Sequence, residues 1–314
     1  MLTDTQKEKL YKQQYRLVGN HSAVKICFWT KENLRHKDKV CYKQHFYDVH
    51  CGNCLEMSPA IICNQRCLHC WRDTSVFSDS WKGSVDEPKE IIEGCIEARK
   101  QLLIGFKGLD SVDKKQFEDF IIPDHAAISL TGEPCMYPKL QQLVDSFFDD
   151  FNFRTVFLVT NGTVPETLKR FGTESKHFPT NIYLSLEAYD LESHKTLNNP
   201  VTKDIWKKVE ESMQYLAALK DKTRTILRIT AIKGYNMDKA KEFLKFIKIM
   251  QPTHIEIKGY AFLGYSRKRL KEENVPSWEE TKKFSKEIEK LCDYTITAEH
   301  EPSDVVQLSP ILKN

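Results

Sequence analysis

The chain has 314 residues, of which 40% are hydrophobic and 29% charged, with 47 lysine and arginine against 44 aspartate and glutamate and a mean hydropathy of −0.50. This composition supports one large core or two modest ones, and no apolar run approaches the ~20 residues a bilayer crossing needs, so a membrane-spanning protein is excluded. A net charge of +3 neither demands nor excludes a nucleic-acid partner, and local charge has to decide.

Met1 to Tyr15 is charged and polar with no apolar signal core, which predicts a cytoplasmic, reducing compartment. Ten cysteines there point to metal or cluster ligation, not disulfides. Residues 1–57 hold Cys27, Cys41, Cys51 and Cys54 among aromatic and basic residues, and read as an N-terminal cysteine-rich extension stapled by a metal centre. Four thiols suit zinc and three suit an iron–sulfur cluster with one open iron; their spacing does not separate the two.

After residue 57, β-rich runs alternate with amphipathic stretches. Strands are predicted at Ser58 to Ile62, Ala126 to Leu130, Thr155 to Thr160, Asn181 to Leu186, Thr225 to Ala231 and His254 to Lys258. Helices are predicted at Pro88 to Phe106, Tyr137 to Asp150, Val164 to Phe171, Thr202 to Leu219 and Met237 to Met250. Six such units in succession argue for an α/β fold with parallel strands, a partial (β/α)6 TIM-like barrel over 58–270. Residues 271–314 follow, with a helix near Pro276 to Leu291 and a strand at Tyr294 to Ala298 that complete it.

Directly after the first strand come Cys63, Cys67 and Cys70 in the spacing C-x3-C-x2-C. Three thiolates from one tight loop hold three corners of a cubane and leave the fourth iron open, which S-adenosylmethionine requires to be bound and reductively cleaved. A zinc hairpin is the competing reading, but it favours paired C-x2-C. The spacing therefore predicts a [4Fe-4S] cluster and a barrel of the radical S-adenosylmethionine (radical SAM) type, with the cluster at the mouth where strand C-termini converge. His69, ahead of the last cysteine, is either a flat ring near adenine or an inert loop histidine.

At the other strand ends, Gly132 and Glu133 read as the site for the methionine ammonium, or as a plain turn. Asn161, Ser185 and Glu187 place polar side chains for ribose and carboxylate, although Asn161-Gly162 is equally a turn signal. Arg228 lies in an apolar strand pattern and needs a partner, so it is a carboxylate clamp or half of a structural ion pair.

Further motifs are Cys27-Phe28-Trp29-Thr30-Lys31, Cys41-Tyr42-Lys43, Leu184-Ser185-Leu186-Glu187-Ala188-Tyr189-Asp190, Ile232-Lys233-Gly234-Tyr235-Asn236-Met237, Gly264-Tyr265-Ser266-Arg267-Lys268-Arg269-Leu270 and Glu299-His300-Glu301-Pro302-Ser303. With these, nearly the whole chain resembles the archaeal-type 4-demethylwyosine synthases, the radical SAM family of wybutosine biosynthesis. The resemblance implies tRNA(Phe) carrying N1-methylguanosine as substrate, pyruvate as donor of a two-carbon unit, and a second, auxiliary [4Fe-4S] cluster on Cys27, Cys41 and Cys54 whose free iron holds pyruvate. Cys51 departs from the family pattern: it is a fourth ligand that closes that iron, or a spectator thiol. Lys43 matches the lysine proposed in the family to activate the pyruvate carbonyl as a Schiff base, a role that needs burial or nearby positive charge to lower its pKa.

The implied reaction starts with the 5′-deoxyadenosyl radical taking hydrogen from the N1-methyl group. The methylene radical adds to the pyruvate carbonyl carbon, the carboxylate carbon is lost, and the ring closes to a tricyclic base. The flavodoxin-like reductase domain of eukaryotic relatives is absent, so an external electron donor of the ferredoxin or flavodoxin type is expected. Tyr265, Arg267, Lys268 and Arg269 form a basic run with an aromatic neighbour, suited to phosphates and a splayed base. Lys25, Lys31, Arg35, Lys37 and Lys39, with Phe28 and Trp29, make a second patch. Rival readings are another radical SAM enzyme with an auxiliary cluster, an activase or peptide-modifying enzyme, and a zinc-stabilised RNA-binding protein.

Overall fold

The alternation of apolar runs and amphipathic stretches is realised in ten strands and eleven α-helices among residues 2–311, which the computed structural model describes. The N-terminal third holds α1 (Asp4–Lys12), β1 (Arg16–Val18), β2 (Ser22–Val24), α2 (Phe28–Arg35), α3 (Tyr42–Tyr47), β3 (Cys54–Ser58) and α4 (Pro88–Ile104). Next come α5 (Lys114–Ile121), β4 (His125–Ile128), α6 (Leu140–Asp149), β5 (Thr155–Thr160), α7 (Pro165–Lys169), β6 (Asn181–Ser185), α8 (Leu191–Asn198) and α9 (Ile205–Ala217). The chain closes with β7 (Arg224–Ala231), α10 (Ala240–Met250), β8 (His254–Gly259), α11 (Trp278–Glu289), β9 (Tyr294–His300) and β10 (Val305–Pro310). From β3 to β8 the six strands and their helices follow the (β/α)6 order expected of the sequence.

Two compact units share these elements. The first comprises residues up to Ile62, Ser80–Val159 and Lys169–Thr180. In it β1 and β2 form a hairpin turned at Gly19, whose φ of +55° favours glycine. Strand β2 runs antiparallel to β3, and β3, β4 and β5 are parallel, with Cys54 opposite His125 and His125 opposite Thr155. Leu55, Met57, Ala126, Ile128, Val156 and Leu158 are buried. Helix α4 opens on Pro88, where a missing N–H costs nothing, and buries Ile91, Ile92, Cys95 and Leu103. Phe117 and Phe120 of α5 join Ile26, Leu34, Leu103 and Val112 in an apolar cluster that anchors α2.

The second unit comprises Cys63–Asp79, Thr160–Leu168 and the chain from Asn181 onward. Strands β6, β7 and β8 are parallel; β10 pairs antiparallel with both β8 and β9. Capping boxes start α8 (Asp190 with Ser193) and α11 (Ser277 with Glu280), satisfying otherwise unpaired helical N–H groups.

The first parallel strand departs from the expected position: it is Cys54–Ser58, not Ser58 to Ile62. Pro59 carries no N–H for the ladder and ends it, so Cys54 is the strand's first residue. The β1–β2 hairpin, α1, α2, α3, α5, α8 and β10 are elements the sequence patterns did not separate, all of ten residues or fewer, and β9 extends to His300.

Candidate active site

The radical-type cysteine loop has little regular structure of its own and is fastened by its neighbours. The N–H of Cys63 donates to Ser78 O, that of Arg66 to Asn198 O and Asn199 O, that of Leu68 to Leu197 O at 2.8 Å, and that of Cys70 to Cys67 O at 3.2 Å. The Arg66 guanidinium donates to the carbonyls of Cys63, Gln65 and Phe77 at 2.6–2.9 Å. The C-terminal carbonyls of α8, free because no helical turn follows, thus receive the loop's amides.

Glu187 sits behind this loop, 2% exposed. Its carboxylate accepts from Asn198 Nδ2 at 3.0 Å and Thr230 Oγ1 at 3.1 Å and lies 3.4 Å from His69 Nε2. The same Asn198 amide is 3.5 Å from Cys67 Sγ. Burial pushes the Cys67 thiol well above its ordinary value, and the Glu187 carboxylate pushes it further. Burial also raises Cys70, opposed by the backbone and charge of Arg72 and by Arg269. One buried and two half-buried thiols beside a carboxylate are a poor arrangement for free thiolates and a fitting donor set for an iron cluster that supplies the compensating charge.

Of the other candidate cofactor residues, Asn161 reaches Cys63 Sγ at 3.9 Å, but its amide is mostly engaged with Asn64 and Thr163. Gly162 next to it has φ +71°, and a Cβ there would stand 2.3 Å from Leu184 Cδ1. Gly132 has φ +75°, and a Cβ would meet Ala60 O at 2.2 Å and Ile62 O at 2.6 Å, so only glycine lets this strand end pack on the residues that precede Cys63. The Glu133 N–H donates to Ile62 O, and its buried carboxylate accepts from Cys135 N. Ser185 ends β6 opposite Arg228. The Arg228 guanidinium pairs with the fully buried Glu256, which also accepts from Tyr183 OH at 3.1 Å.

In the extension, Cys27 and Cys41 each stand immediately before a short helix, α2 and α3, and Cys54 opens β3. Burial raises Cys27 well above its ordinary value, with Glu56, Cys41 and Cys54 adding to it. Burial brings Cys54 up to about 12 against the pull of Lys43. The three thiols therefore lie within electrostatic reach of one another. Cys51 stands beside Cys41, whose backbone and charge both act on its thiol; its Sγ is 4.0 Å from Trp29 O, its own N–H is held by Gln44 Oε1, and burial brings it to about 11.

Lys43 is half-buried, within Coulombic reach of Cys27, Cys41 and Cys54, its Nζ 5.2 Å from the Phe157 ring. Burial would lower its pKa, but Tyr42 and the three cysteines outweigh this and raise it, opposite to the expected direction. His125 beside it is held well below its usual value by burial and by the Lys43 charge. Sequence reasoning missed the structural residues around both centres: Asn198, Thr230 and Asn236 near Glu187, Arg66 in the loop, and Arg99 beneath Cys54. For Asn198 the visible signal was Asn198-Asn199-Pro200, a helix stop.

Among the expected RNA contacts, Arg267 and Lys268 are exposed, Arg267 Nε on Phe262 O at 2.9 Å and Lys268 Nζ 4.7 Å from the Tyr265 ring. Tyr265 is half-buried, its N–H on Trp71 O. Arg269 turns away from solvent onto Leu68 O and Cys70 O. In the second patch, Lys37 pairs with Asp113, and Arg35 and Lys39 both pair with Glu32, so much of its charge is spent internally; Phe28 is 64% exposed.

The Radical SAM superfamily profile matches residues 57–247, and that for wyosine base formation matches 249–309. S-adenosyl-L-methionine-dependent tRNA 4-demethylwyosine synthase from Pyrococcus abyssi is 42% identical over 94% of this chain and 85% of its own length. The namesake from Xenopus laevis is 34% identical over 98% of this chain and 41% of its own. A solved structure of TYW1 with a lysine–pyruvate adduct bound superposes with a TM-score of 0.86 at 32% identity, covering 99% of this chain and 97% of that one, and archaeal TYW1 with 0.78 at 30% identity. Two family profiles and an identity above 40% over nearly the full length agree with the cysteine loop and its surroundings, and the chain belongs to the tRNA 4-demethylwyosine synthase family of radical SAM enzymes.

Proposed function

We propose that this enzyme forms 4-demethylwyosine on tRNA(Phe) by joining the N1-methyl carbon of N1-methylguanosine to a two-carbon unit of pyruvate. The observation that carries the reading is the half-buried Lys43 amine within Coulombic reach of Cys27, Cys41 and Cys54. A structural relative at 32% identity bears a lysine–pyruvate adduct, which supports it. When bound at Cys63, Cys67 and Cys70, a [4Fe-4S] cluster with S-adenosylmethionine supplies the 5′-deoxyadenosyl radical that removes hydrogen from the methyl group.

The chain's own residues do the rest. Asn198 ties Cys67 to Glu187, and Thr230 and His69 hold that carboxylate in place. Cys27, Cys41 and Cys54 form a second triad for an auxiliary [4Fe-4S] cluster, with Cys51 a spectator. A Schiff base to pyruvate requires the neutral amine, the direction in which burial acts on Lys43 against Tyr42 and the three cysteines. Arg267 and Lys268 offer exposed cations to RNA phosphates. A separate ferredoxin- or flavodoxin-type protein supplies electrons, and the setting is cytoplasmic.

Anaerobic reconstitution with iron and sulfide, followed by S-adenosylmethionine, reductant, pyruvate and N1-methylguanosine tRNA, tests this. Mass spectrometry of the digested tRNA is expected to show the tricyclic base, and 5′-deoxyadenosine to depend on both substrates. Formation of 5′-deoxyadenosine without modified tRNA would favour a different radical substrate. In Lys43→Ala, product falls on the order of a hundred-fold or more and borohydride no longer traps labelled pyruvate on the protein; full turnover with no adduct on the wild type removes Lys43 from the chemistry.

A further inference from the structure

The cluster loop presents three carbonyls, those of Leu68, Cys70 and Trp71, to a single short turn, Gly264–Lys268 with Arg269 at its end. Arg269 Nε donates to Leu68 O at 3.1 Å, and a second guanidinium nitrogen donates to Cys70 O. Tyr265 N–H donates to Trp71 O at 3.0 Å. Gly264 has φ +53°, and a Cβ there would lie 2.3 Å from Trp71 O, so the turn is pressed against the loop as closely as backbone allows. The turn is itself fixed: Ser266 Oγ accepts from Tyr260 OH at 2.8 Å and donates to Leu263 O at 2.6 Å. Leu270, Tyr260, Leu197 and Ile232 pack in one apolar cluster that includes Leu68.

We propose that Arg269 is a positioning residue for the radical-generating loop and not, as its place in the basic run predicts, a contact to tRNA. A forked guanidinium on two carbonyls that flank His69 fixes the peptide planes on either side of it, and with them the direction of the Cys70 thiol. The Arg66 and α8 bonds fasten the front of the loop, and Arg269 holds its rear, from Leu68 to Cys70, where the third thiol stands. The Radical SAM profile ends at residue 247, whereas this turn lies in the wyosine-forming segment 249–309. The general radical-generating loop is thus locked by a segment particular to this family, on the same turn that exposes Arg267 and Lys268. The inference rests on Cys63, Cys67 and Cys70 being the cluster ligands.

Hydrogen exchange on the metal-free chain tests it without any cluster. The Leu68 and Cys70 amides are bonded in the wild type. In Arg269→Gln their exchange is expected to speed up about ten-fold or more, in Arg269→Lys by less, while affinity for tRNA changes no more than about three-fold. The reconstituted Gln variant is expected to retain less iron and to give an altered electron paramagnetic resonance signal with S-adenosylmethionine. Unchanged loop exchange in Arg269→Gln overturns the proposal, and if tRNA affinity then falls ten-fold Arg269 is an RNA contact after all. Should Arg269→Gln lose its fold by circular dichroism, the lysine variant carries the same measurement, and a loop as protected as in the wild type overturns the proposal there. Failure of the wild type to make the tricyclic base would refute the proposed function while leaving the loop exchange as it is, so the two are separable.

Discussion

A guanidinium taken fully out of water has to find acceptors for its donors, and Arg99 finds backbone carbonyls. It donates to Cys54 O at 3.0 Å, Gly52 O at 2.6 Å, Phe120 O at 2.6 Å and Ile121 O at 3.2 Å, and its burial lowers its pKa to about 10. Two of those carbonyls belong to the segment Gly52 to Cys54, so a helix residue far along the chain sets the backbone beneath the third thiol of the extension. Arg99→Met keeps an unbranched apolar stem and removes every donor, leaving buried carbonyls unpaired at about 1–3 kcal/mol each. We expect a loss of about 3 kcal/mol or more in urea unfolding and faster alkylation of Cys54 in the metal-free chain. A loss under about 0.5 kcal/mol, the range of an ordinary surface substitution, would mean the carbonyls are hydrated and Arg99 is no brace. The sequence carried a trace of this, since Arg99 falls on the same apolar helix stripe as Ile92, Cys95 and Leu103. It did not name the acceptors, because backbone carbonyls leave no mark in a residue pattern.

Among the elements, α8 is short and was not separable from the loop before it, yet its last residues do much of the positioning. Its C-terminal carbonyls take the amides of Arg66 and Leu68, and its Asn198 side chain joins Cys67 to Glu187 at the end of the β6 segment. The Glu187 carboxylate is the largest charge acting on Cys67 after burial and acts to raise its thiol pKa. Glu187→Gln keeps an acceptor for Asn198 and removes the charge. The sign is then fixed: the folded-state thiol pKa falls, and the pH midpoint of Cys67 alkylation in the metal-free protein moves downward, while burial keeps it above that of a free cysteine. A midpoint that stays put or rises contradicts this account of the loop. Glu187 itself was legible as a polar strand-end position beside the cysteine loop. Its three partners were not, since Asn198, Thr230 and His69 come from a helix, another strand and the cysteine loop.

For the molecule as a whole, the near balance of 47 basic and 44 acidic residues means that no long-range field draws tRNA in, and binding has to rest on local cations. Arg35, Lys37 and Lys39 are exposed but each pairs with a carboxylate, Glu32 or Asp113, whereas the exposed Arg267 lies on Phe262 O and Lys268 over the Tyr265 ring. The double variant Arg267→Ala/Lys268→Ala is expected to weaken tRNA binding, and to make the dependence of log affinity on log salt shallower by about 1 to 1.5, at ~0.7 for each phosphate contact. An unchanged salt slope would place the RNA elsewhere. Among the described residues no helix is long and apolar enough to cross a membrane, in line with the composition. The sequence by itself determined the order of strands and helices, the cysteine loop and the candidate strand-end residues, because periodicity, turn chemistry and ligand spacing are written in consecutive residues. Only the tertiary structure decided that Cys51 touches the backbone of Cys41, that Arg228 pairs with Glu256, that half-buried Lys43 stands within Coulombic reach of three thiols, and that Arg269 faces the loop. Each of these depends on which distant segments burial brings within hydrogen-bonding or Coulombic reach, and local pattern does not encode that.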